Sequence, residues 1–257
     1  MPSKLNTTND AKIEVIAMLY TLDLSTLLGP VMHRAQAGLQ VRIRGFTDRS
    51  AAFVLEQIGV PAHGRSSDVD FSGERLVYIT RCSWIDRELI QFFSKASTGE
   101  GIEIAGALST RFHRLSEQLD WPQFSWCAIN TRDINDCLQF VFPAIDKLRC
   151  IGCDKPMGSW QKHVHWPSKT PKILIVGEQN PVNDWEAFAC LYDSIQVSLT
   201  NETPCIELIV AHAIDDFQRL CDAYNLALSV ASTQPLFLFY RESLPMHPAW
   251  RRCKNST

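Results

Sequence analysis

Six short apolar runs alternate with segments of helical periodicity from residue 101 onward. The runs are rich in β-branched and aromatic residues, as strands are. They read "GIEIAG", "FSWCAIN", "LRCIGC", "KILIVGE", "CIELIVAHA" and "PLFLFYRE", and "DINDCLQFVFPAI", "NDWEAFACLYDSI" and "IDDFQRLCDAY" are the helical segments between them. This alternation predicts an α/β fold with a mostly parallel sheet covered by helices on both faces. The last two runs predict an antiparallel hairpin that completes the sheet.

The N-terminal part of the chain is helical in pattern and shows no convincing strand alternation. Three segments place apolar residues at helical spacing: "AKIEVIAMLYTLDLSTLL", "RSAAFVLEQIG" and "SWIDRELIQFFSK". Gly59 is expected to end the second helix, and Ser83 is expected to cap the third. We therefore divide the chain into a helical cap or lid over residues 1–95 and a sheet domain over residues 96–257.

The amino-acid composition indicates in which cellular compartment the protein is expected and which classes of partner it binds. Hydrophobic residues make up 46% and charged residues 21% of the 257, so a packed core is expected. The net charge of −3 gives no electrostatic reason to expect nucleic acid or a membrane as a partner. No apolar run has the length of a membrane span, and the first residues lack a signal peptide's apolar core. We therefore expect nine reduced cysteines in a cytoplasmic protein with a small-molecule substrate, and leave open a homodimer.

The end of the first predicted strand, "IEIAGALSTRF", has the features of a ligand-binding turn. Ligands bind at the carboxyl ends of the strands in such sheets. Ala105, Gly106 and Ala107 are small enough for a ligand to approach the backbone. Two hydroxyls and a guanidinium follow, at Ser109, Thr110 and Arg111. The alternative is a strand that packs tightly against the next helix, because a turn with one glycine is a weak signal.

Polar residues also stand at the ends of the next three predicted strands. Asn130 ends the second strand, Asp154 follows the third, and Glu178 follows "KILIV". An acidic residue at the second position would bind ribose hydroxyls, and Asn130 can accept one such bond without a charge. A charged side chain directly after a buried strand is costly without a partner. Glu178 is therefore expected to meet a polar ligand, a cation or a backbone donor, or else to cap a helix or pair with an arginine.

Taken together, these stretches resemble the leucine carboxyl methyltransferase family, which includes bacterial O-methyltransferases of polyketide and other secondary metabolism. The resemblance covers roughly residues 40–212. The family's first motif, Leu-Gly-Ala-Gly-x-Asp-Thr-Arg-Phe, stands here as "IAGALSTRF", with Ala105 and Ala107 in place of both glycines. Its second motif, Val-Asp-Leu-Pro, stands as "INTR", and its Glu-Gly pair as Glu178 and Gln179. Arg81 matches an arginine on the helix that leads into the first strand.

The resemblance implies a class I, Rossmann-like domain that binds S-adenosylmethionine (SAM), with an N-terminal helical cap. Arg81 would hold the carboxylate of SAM, and Glu178 its amino-acid or ribose side. Asn130 would contact the ribose and Asp154 the adenine. Ala105, Gly106 and Ala107 would form the loop that binds the cofactor. The implied activity is methyl transfer to a carboxyl or hydroxyl oxygen of a small metabolite in secondary metabolism, with no catalytic residue assigned.

The departures from the family motifs support two alternatives. If a lost glycine has a positive φ, alanine there costs about 1 kcal/mol. Loss of the ribose carboxylate removes a bond worth roughly 1.5–3 kcal/mol. The chain is then a degenerate methyltransferase that binds a partner or another ligand without catalysis, or an enzyme that uses SAM without methyl transfer.

Two further signals are weaker. Cys150, Cys153, His163 and His165 have a spacing that is loosely like a zinc site, but the cysteines lie on a predicted buried strand. We interpret them as structural thiols and predict no metal. His113 could act as a base, although a lone histidine is more often part of the scaffold.

Overall fold

The structure is a computed structural model. It describes residues 24–40, 46–60, 73–119, 123–164, 170–176, 206–213 and 237–244. The two helices predicted over 183–195 and 214–224 lie outside the described residues, as do residues 11–23 of the first predicted helix.

The described N-terminal residues form the helices α1 (Leu24–Gln40), α2 (Arg49–Gln57) and α3 (Gly73–Lys95), which precede the sheet. Helix α2 begins after Asp48, whose carboxylate accepts a bond from the Ala51 amide, as an N-cap residue does. Gly59 follows its end with a φ of 76°, as the sequence indicated.

The predicted start of the third helix at Ser83 is wrong, because α3 begins at Gly73. The preceding turns carry Tyr78, Ile79 and Cys82, which are buried with Ala37 and Phe46. Burial of this additional apolar surface stabilises the longer helix, so the serine lies inside it and not at its cap.

The remaining elements alternate as predicted. The strands are β1 (Glu100–Ile104), β2 (Ser125–Asn130), β3 (Leu148–Gly152), β4 (Lys172–Val176), β5 (Ile206–Ala213) and β6 (Phe237–Leu244). The helices are α4 (Arg111–Gln118), α5 (Arg132–Val141) and α6 (Pro156–Ser159), with a 3-10 turn at Trp160–His163.

The six strands form one sheet in the order β3-β2-β1-β4-β5-β6. The first five are parallel, and β6 pairs antiparallel with β5, which confirms the predicted final pair. The chain reverses direction across the sheet between β1 and β4. The carboxyl ends of β1 and β4 therefore flank the switch point, where a ligand crevice opens in sheets of this kind, and the end of β2 lies next to that of β1.

One face of the sheet carries the largest described core cluster. Trp126 and Ala128 of β2 pack there with Ile173 and Ile175 of β4, and helices α3 and α4 cover them. The helical residues of the cluster are Trp84, Ile85, Leu89, Phe92, Phe93, Phe112 and Leu115. Helix α3 thus packs directly on the sheet.

The other face is buried as well. Ile102, Ile104, Cys127, Ile129 and Leu174 alternate with the first set along their strands and have no exposed surface. The predicted fold class is confirmed in its architecture, which is a mostly parallel, Rossmann-like α/β sheet.

The domain boundary at residue 95, between the helical cap and the sheet domain, stays a prediction. Among the described helices, none is long and apolar enough to cross a bilayer.

Close packing at Gly101 gives a direct test of this core. A Cβ atom at Gly101 would lie 2.2 Å from Cε3 of the buried Trp126 ring. We expect Gly101→Ala to lower the free energy of unfolding by about 3 kcal/mol or more. The control is Gly29→Ala in helix α1, where nothing lies within 4 Å of the new methyl. That change should stabilise by about 0.5–1 kcal/mol. Urea denaturation measures both, and equal effects at the two sites would contradict the described packing.

Candidate functional site

The loop after β1 has a backbone conformation that normally requires glycine. Ala105 and Ala107 have φ angles of 54° and 50° and are the only described non-glycine residues with a positive φ. The Ala105 amide continues the sheet ladder with a 2.9 Å bond to the Ile129 carbonyl, which fixes the start of the loop beside β2. The left-handed region costs an alanine about 1 kcal/mol or more. The two alanines thus adopt a conformation that glycine takes without strain.

Gly106, between them, is required for a different reason. A Cβ atom at this position would lie 2.7 Å from Cγ and Cδ of Glu103. Glu103 lies in β1 on the face covered by α4, and its side chain is buried over the loop. The single glycine that the motif retains therefore makes room for a buried carboxylate.

The polar groups that follow the loop point inward. The Ser109 hydroxyl donates to Oε1 of Glu103 at 3.0 Å, and the Thr110 hydroxyl donates to Oδ2 of Asp48. The Arg111 guanidinium donates to Asp86 at 3.0 Å and to Glu103 at 2.7 Å. The sequence offered these three side chains as ligand contacts. The structure instead uses them to fasten the loop to the protein.

These contacts belong to a larger set, which we call the buried charge cluster. It contains three arginines and three carboxylates, and none has a side chain more than 4% exposed: Arg34, Arg111, Arg114, Asp48, Asp86 and Glu103. Arg114 joins its two halves, because its guanidinium donates to Asp48 at 2.7 Å and to Asp86 at 2.8 and 3.0 Å. The cluster is balanced in formal charge, as buried ions must be.

Sequence reasoning missed this cluster. The signal for it was Glu103, a charged residue within the apolar run of the first strand. The same argument that drew attention to Glu178 applies to it. The partners could not be read from the sequence, because they come from α1, α3, α4 and the start of α2 and meet only in the folded protein.

Asn130, predicted to contact a ribose, lies at the carboxyl end of β2 and is 2% exposed. Its Oδ1 atom has no hydrogen-bond partner among the described residues. A buried acceptor without a donor is costly, and such atoms are rare in folded proteins. A ribose hydroxyl would supply the missing donor, so this atom fits the predicted cofactor.

Asp154, predicted to contact adenine, lies just after β3. The Cys153 amide donates to the Asn130 carbonyl at 2.9 Å, so this segment adjoins the end of β2. The Asp154 carboxylate accepts a 2.9 Å bond from Nε of Arg132, and both side chains are exposed. Arg132 occupies the position of the family's proline. An exposed pair of this kind contributes at most about 1 kcal/mol and can open for a ligand.

Arg81 is buried in α3, and its guanidinium lies 5.2 Å from the centre of the Tyr78 ring. Its assigned contact with a cofactor carboxylate stays a prediction, as do the contacts of the other predicted site residues. Glu178 lies outside the described residues. The structure brings together the loop 105–107, Asn130 and Asp154 at one edge of the sheet.

His113 lies elsewhere, on α4. Its ring stacks on Phe142 at 4.1 Å and borders a cavity of about 440 Å³ lined by Ser50, Phe112, His113, Ser116, Glu117, Ile145 and Lys147. Burial lowers the pKa of His113, opposed by nearby Asp48 and reinforced by Arg114. None of the residues predicted to bind the cofactor lines this cavity, so the cavity gives His113 no link to that site.

The cysteines considered for zinc are free thiols, and Cys153 is buried while Cys150 is partly buried. Burial raises the pKa of Cys127 to about 12 and that of Cys137 to about 11. The described residues contain no group of three His, Cys, Asp or Glu side chains placed to hold a metal ion. His165 lies outside them.

Comparison with solved structures finds methyltransferases. Mitomycin 7-O-methyltransferase MmcR is 8% identical with a TM-score of 0.42, over 67% of this chain and 57% of that one. Human N-acetylserotonin methyltransferase, in complex with SAM, is 13% identical with a TM-score of 0.37, over 79% and 61%. The SAM-dependent methyltransferase SibL is 9% identical with a TM-score of 0.43, over 91% and 74%.

The chain thus spans less than two thirds of the length of the first two proteins. No family model matches the chain, and no curated protein sequence matches it. The functional inference therefore depends on the chain's own residues.

The φ angles of the two loop alanines lead to a stability prediction. Ala105→Gly and Ala107→Gly should each raise the free energy of unfolding by about 0.5–1 kcal/mol, because glycine adopts a positive φ without strain. The control is Ala52→Gly inside helix α2, which should lower it by about 1 kcal/mol. Urea denaturation measures the free energy of unfolding of all three variants. Destabilisation at all three positions would show that the loop alanines are not left-handed.

Low pH should reduce the stability of the protein, because protonation of Asp48 removes a charge from the buried charge cluster. Burial alone would raise the pKa of Asp48, but Arg114 and Arg34, with bonds from Thr110 and the Ala51 amide, lower it below 3.8. The stability that Asp48 contributes is therefore fully present above about pH 3.8 and is lost as the pH falls through the lower, folded-state value.

We accordingly expect Asp48→Asn to cost about 3–5 kcal/mol at pH 7, because it leaves buried arginines uncompensated. Chemical denaturation measures the free energy of unfolding of both proteins, and the difference between them should become smaller below pH 4. Asp146→Asn, at an exposed position, should show no such pH-dependent gap. A gap for Asp48→Asn that stays constant from pH 7 to pH 2 would contradict the assignment.

Proposed function

We propose that this chain is a SAM-dependent methyltransferase that acts on a carboxyl or hydroxyl oxygen of a small metabolite, in secondary metabolism and in the cytoplasm. The observation that carries the proposal is the left-handed backbone at Ala105 and Ala107 beside the buried Oδ1 of Asn130, an acceptor with no hydrogen-bond partner in the described part of the chain. Strained backbone of this kind is concentrated at binding sites.

The residues present fit the adenosine part of SAM. The loop 105–107 passes the end of β1 with small side chains, so a ligand can lie close to its backbone. Asn130 would accept a bond from a ribose hydroxyl. The Asp154 carboxylate would release Arg132 and accept a hydrogen bond from a donor on the adenine. Arg81 and Glu178 keep the roles that the family resemblance assigns to them.

SAM would supply an activated methyl group on its sulfonium. The contribution of the protein is then chiefly to align an acceptor oxygen with that methyl group and to exclude water. The chain has no assigned catalytic base, and an acceptor that is already ionised, such as a carboxylate, needs none. The helical cap over residues 1–95 would enclose the acceptor, with residues 96–257 as the SAM-binding domain.

A second candidate is a degenerate methyltransferase that binds a partner or a different ligand and catalyses nothing. It is favoured by the two added methyl groups in the loop and by the absence of a carboxylate at position 130. The Arg132–Asp154 pair also occupies the predicted adenine contact. A third candidate uses SAM without methyl transfer, for the same reasons.

Calorimetric titration with SAM and S-adenosylhomocysteine separates these candidates. We expect both to bind, and Asn130→Asp to tighten binding by about tenfold, because a carboxylate accepts bonds from both ribose hydroxyls. The control is Gln139→Glu, which adds the same charge at an exposed position on α5 and should leave the affinity unchanged.

Absence of binding of either molecule up to millimolar concentration would exclude the methyltransferase. Binding that Asn130→Asp leaves unchanged would exclude this placement of the ribose. Binding without turnover of any oxygen acceptor would favour the degenerate protein or the third candidate.

A further inference from the structure

We infer that Arg34, Asp48 and Thr110 are positioning residues that hold the loop 105–110 in its strained conformation, so that helices α1 and α2 brace the ligand loop and set its affinity. The effect on affinity rests on the proposed function. The effect on the loop itself does not, and it can be measured without a ligand.

Arg34 of α1 reaches the loop directly. Its Nη2 donates to the Leu108 carbonyl at 2.7 Å, and its Nε donates to Oδ2 of Asp48 at 3.1 Å. Nη1 donates to the hydroxyl of Tyr78 on α3. The planar guanidinium is fully buried and is fixed on these partners, so it holds the Leu108 carbonyl in one place.

Asp48 forms the second attachment. It lies at the N-cap of α2, and its Oδ2 accepts bonds from the Thr110 hydroxyl and from Arg114. Thr110 stands at the N-cap position of α4, yet its hydroxyl makes no capping bond there. The hydroxyl instead ties the end of the loop to α2.

The side chain of Leu108 is the third attachment. It is 1% exposed and belongs to a core cluster with Leu28 and Val31 of α1 and with Val54 and Leu55 of α2. Leu108 is therefore held by both its side chain and its carbonyl, and both contacts involve the N-terminal helices.

These attachments explain how the strained backbone persists. The loop is fixed at its start by the bond between the Ala105 amide and Ile129, and at its end by Leu108 and Thr110. Ala105 and Ala107 must span the interval in between, and they do so with positive φ angles. Removal of one attachment lets the chain move out of the left-handed region, because this region is sterically unfavourable for an alanine. A glycine has no such steric reason to leave it.

The test is Thr110→Val, which removes the hydroxyl and keeps the shape of the side chain. No capping bond is lost with it. We expect the dissociation constant for S-adenosylhomocysteine to rise about tenfold in calorimetry, and amide hydrogen exchange at residues 105–110 to become faster. Two variants serve as controls: Thr110→Ser keeps the hydroxyl, and Thr47→Val makes the same change at an exposed residue next to Asp48. Neither should change either measurement.

The triple variant Thr110→Val, Ala105→Gly and Ala107→Gly tests the mechanism. If Thr110 acts by imposing the positive φ angles, the two glycines should recover most of the lost affinity. Gly29→Ala, which is expected to stabilise the fold away from the loop, should not recover it when combined with Thr110→Val. Unchanged exchange and affinity in Thr110→Val would overturn the inference, and so would failure of the glycines to recover affinity. If the unmodified chain binds no S-adenosylhomocysteine, the proposed function fails, and the exchange measurement alone still decides whether Thr110 holds the loop.

Discussion

The structure depends on one set of buried ion pairs at the junction of the N-terminal helices, the first strand and the helix after it. Three guanidinium groups and three carboxylates lie almost without solvent contact between these elements. Loss of one partner would leave a charge in a poorly solvated place, so the six must be present together. The cluster therefore fixes the relative placement of α1, α3, α4 and β1, and the loop between β1 and α4 with them.

The buried charge cluster affects function through the loop 105–110, which it holds in place. Ala105 and Ala107 both have a positive φ angle, a conformation that normally requires glycine. The buried contacts at Leu108 and Thr110 offset a strain that glycine would not create. The loop thus holds a left-handed backbone at alanine because buried contacts fix the residues that follow it.

The sequence predicted the sheet well, because short apolar runs and amphipathic helices follow from burial within a few residues along the chain. All six strands, the helices α2 and α5, and the antiparallel final pair agree with that pattern. The start of α3 was wrong because the local serine signal was outweighed by distant apolar contacts at Tyr78 and Ile79. Asn130 was identified as a strand-end residue, but only the folded structure shows that its buried Oδ1 has no hydrogen-bond partner among the residues described. The charge cluster was missed for the same reason, since Arg34 and Glu103 lie far apart in sequence.

A crystal structure of the chain with S-adenosylhomocysteine tests the central claim most directly, because it locates the ligand and measures the loop together. We expect a ribose hydroxyl within hydrogen-bond distance of Oδ1 of Asn130, with positive φ angles at both Ala105 and Ala107. A loop with negative φ angles at these residues, or a ligand bound away from the ends of β1 and β2, would contradict the account.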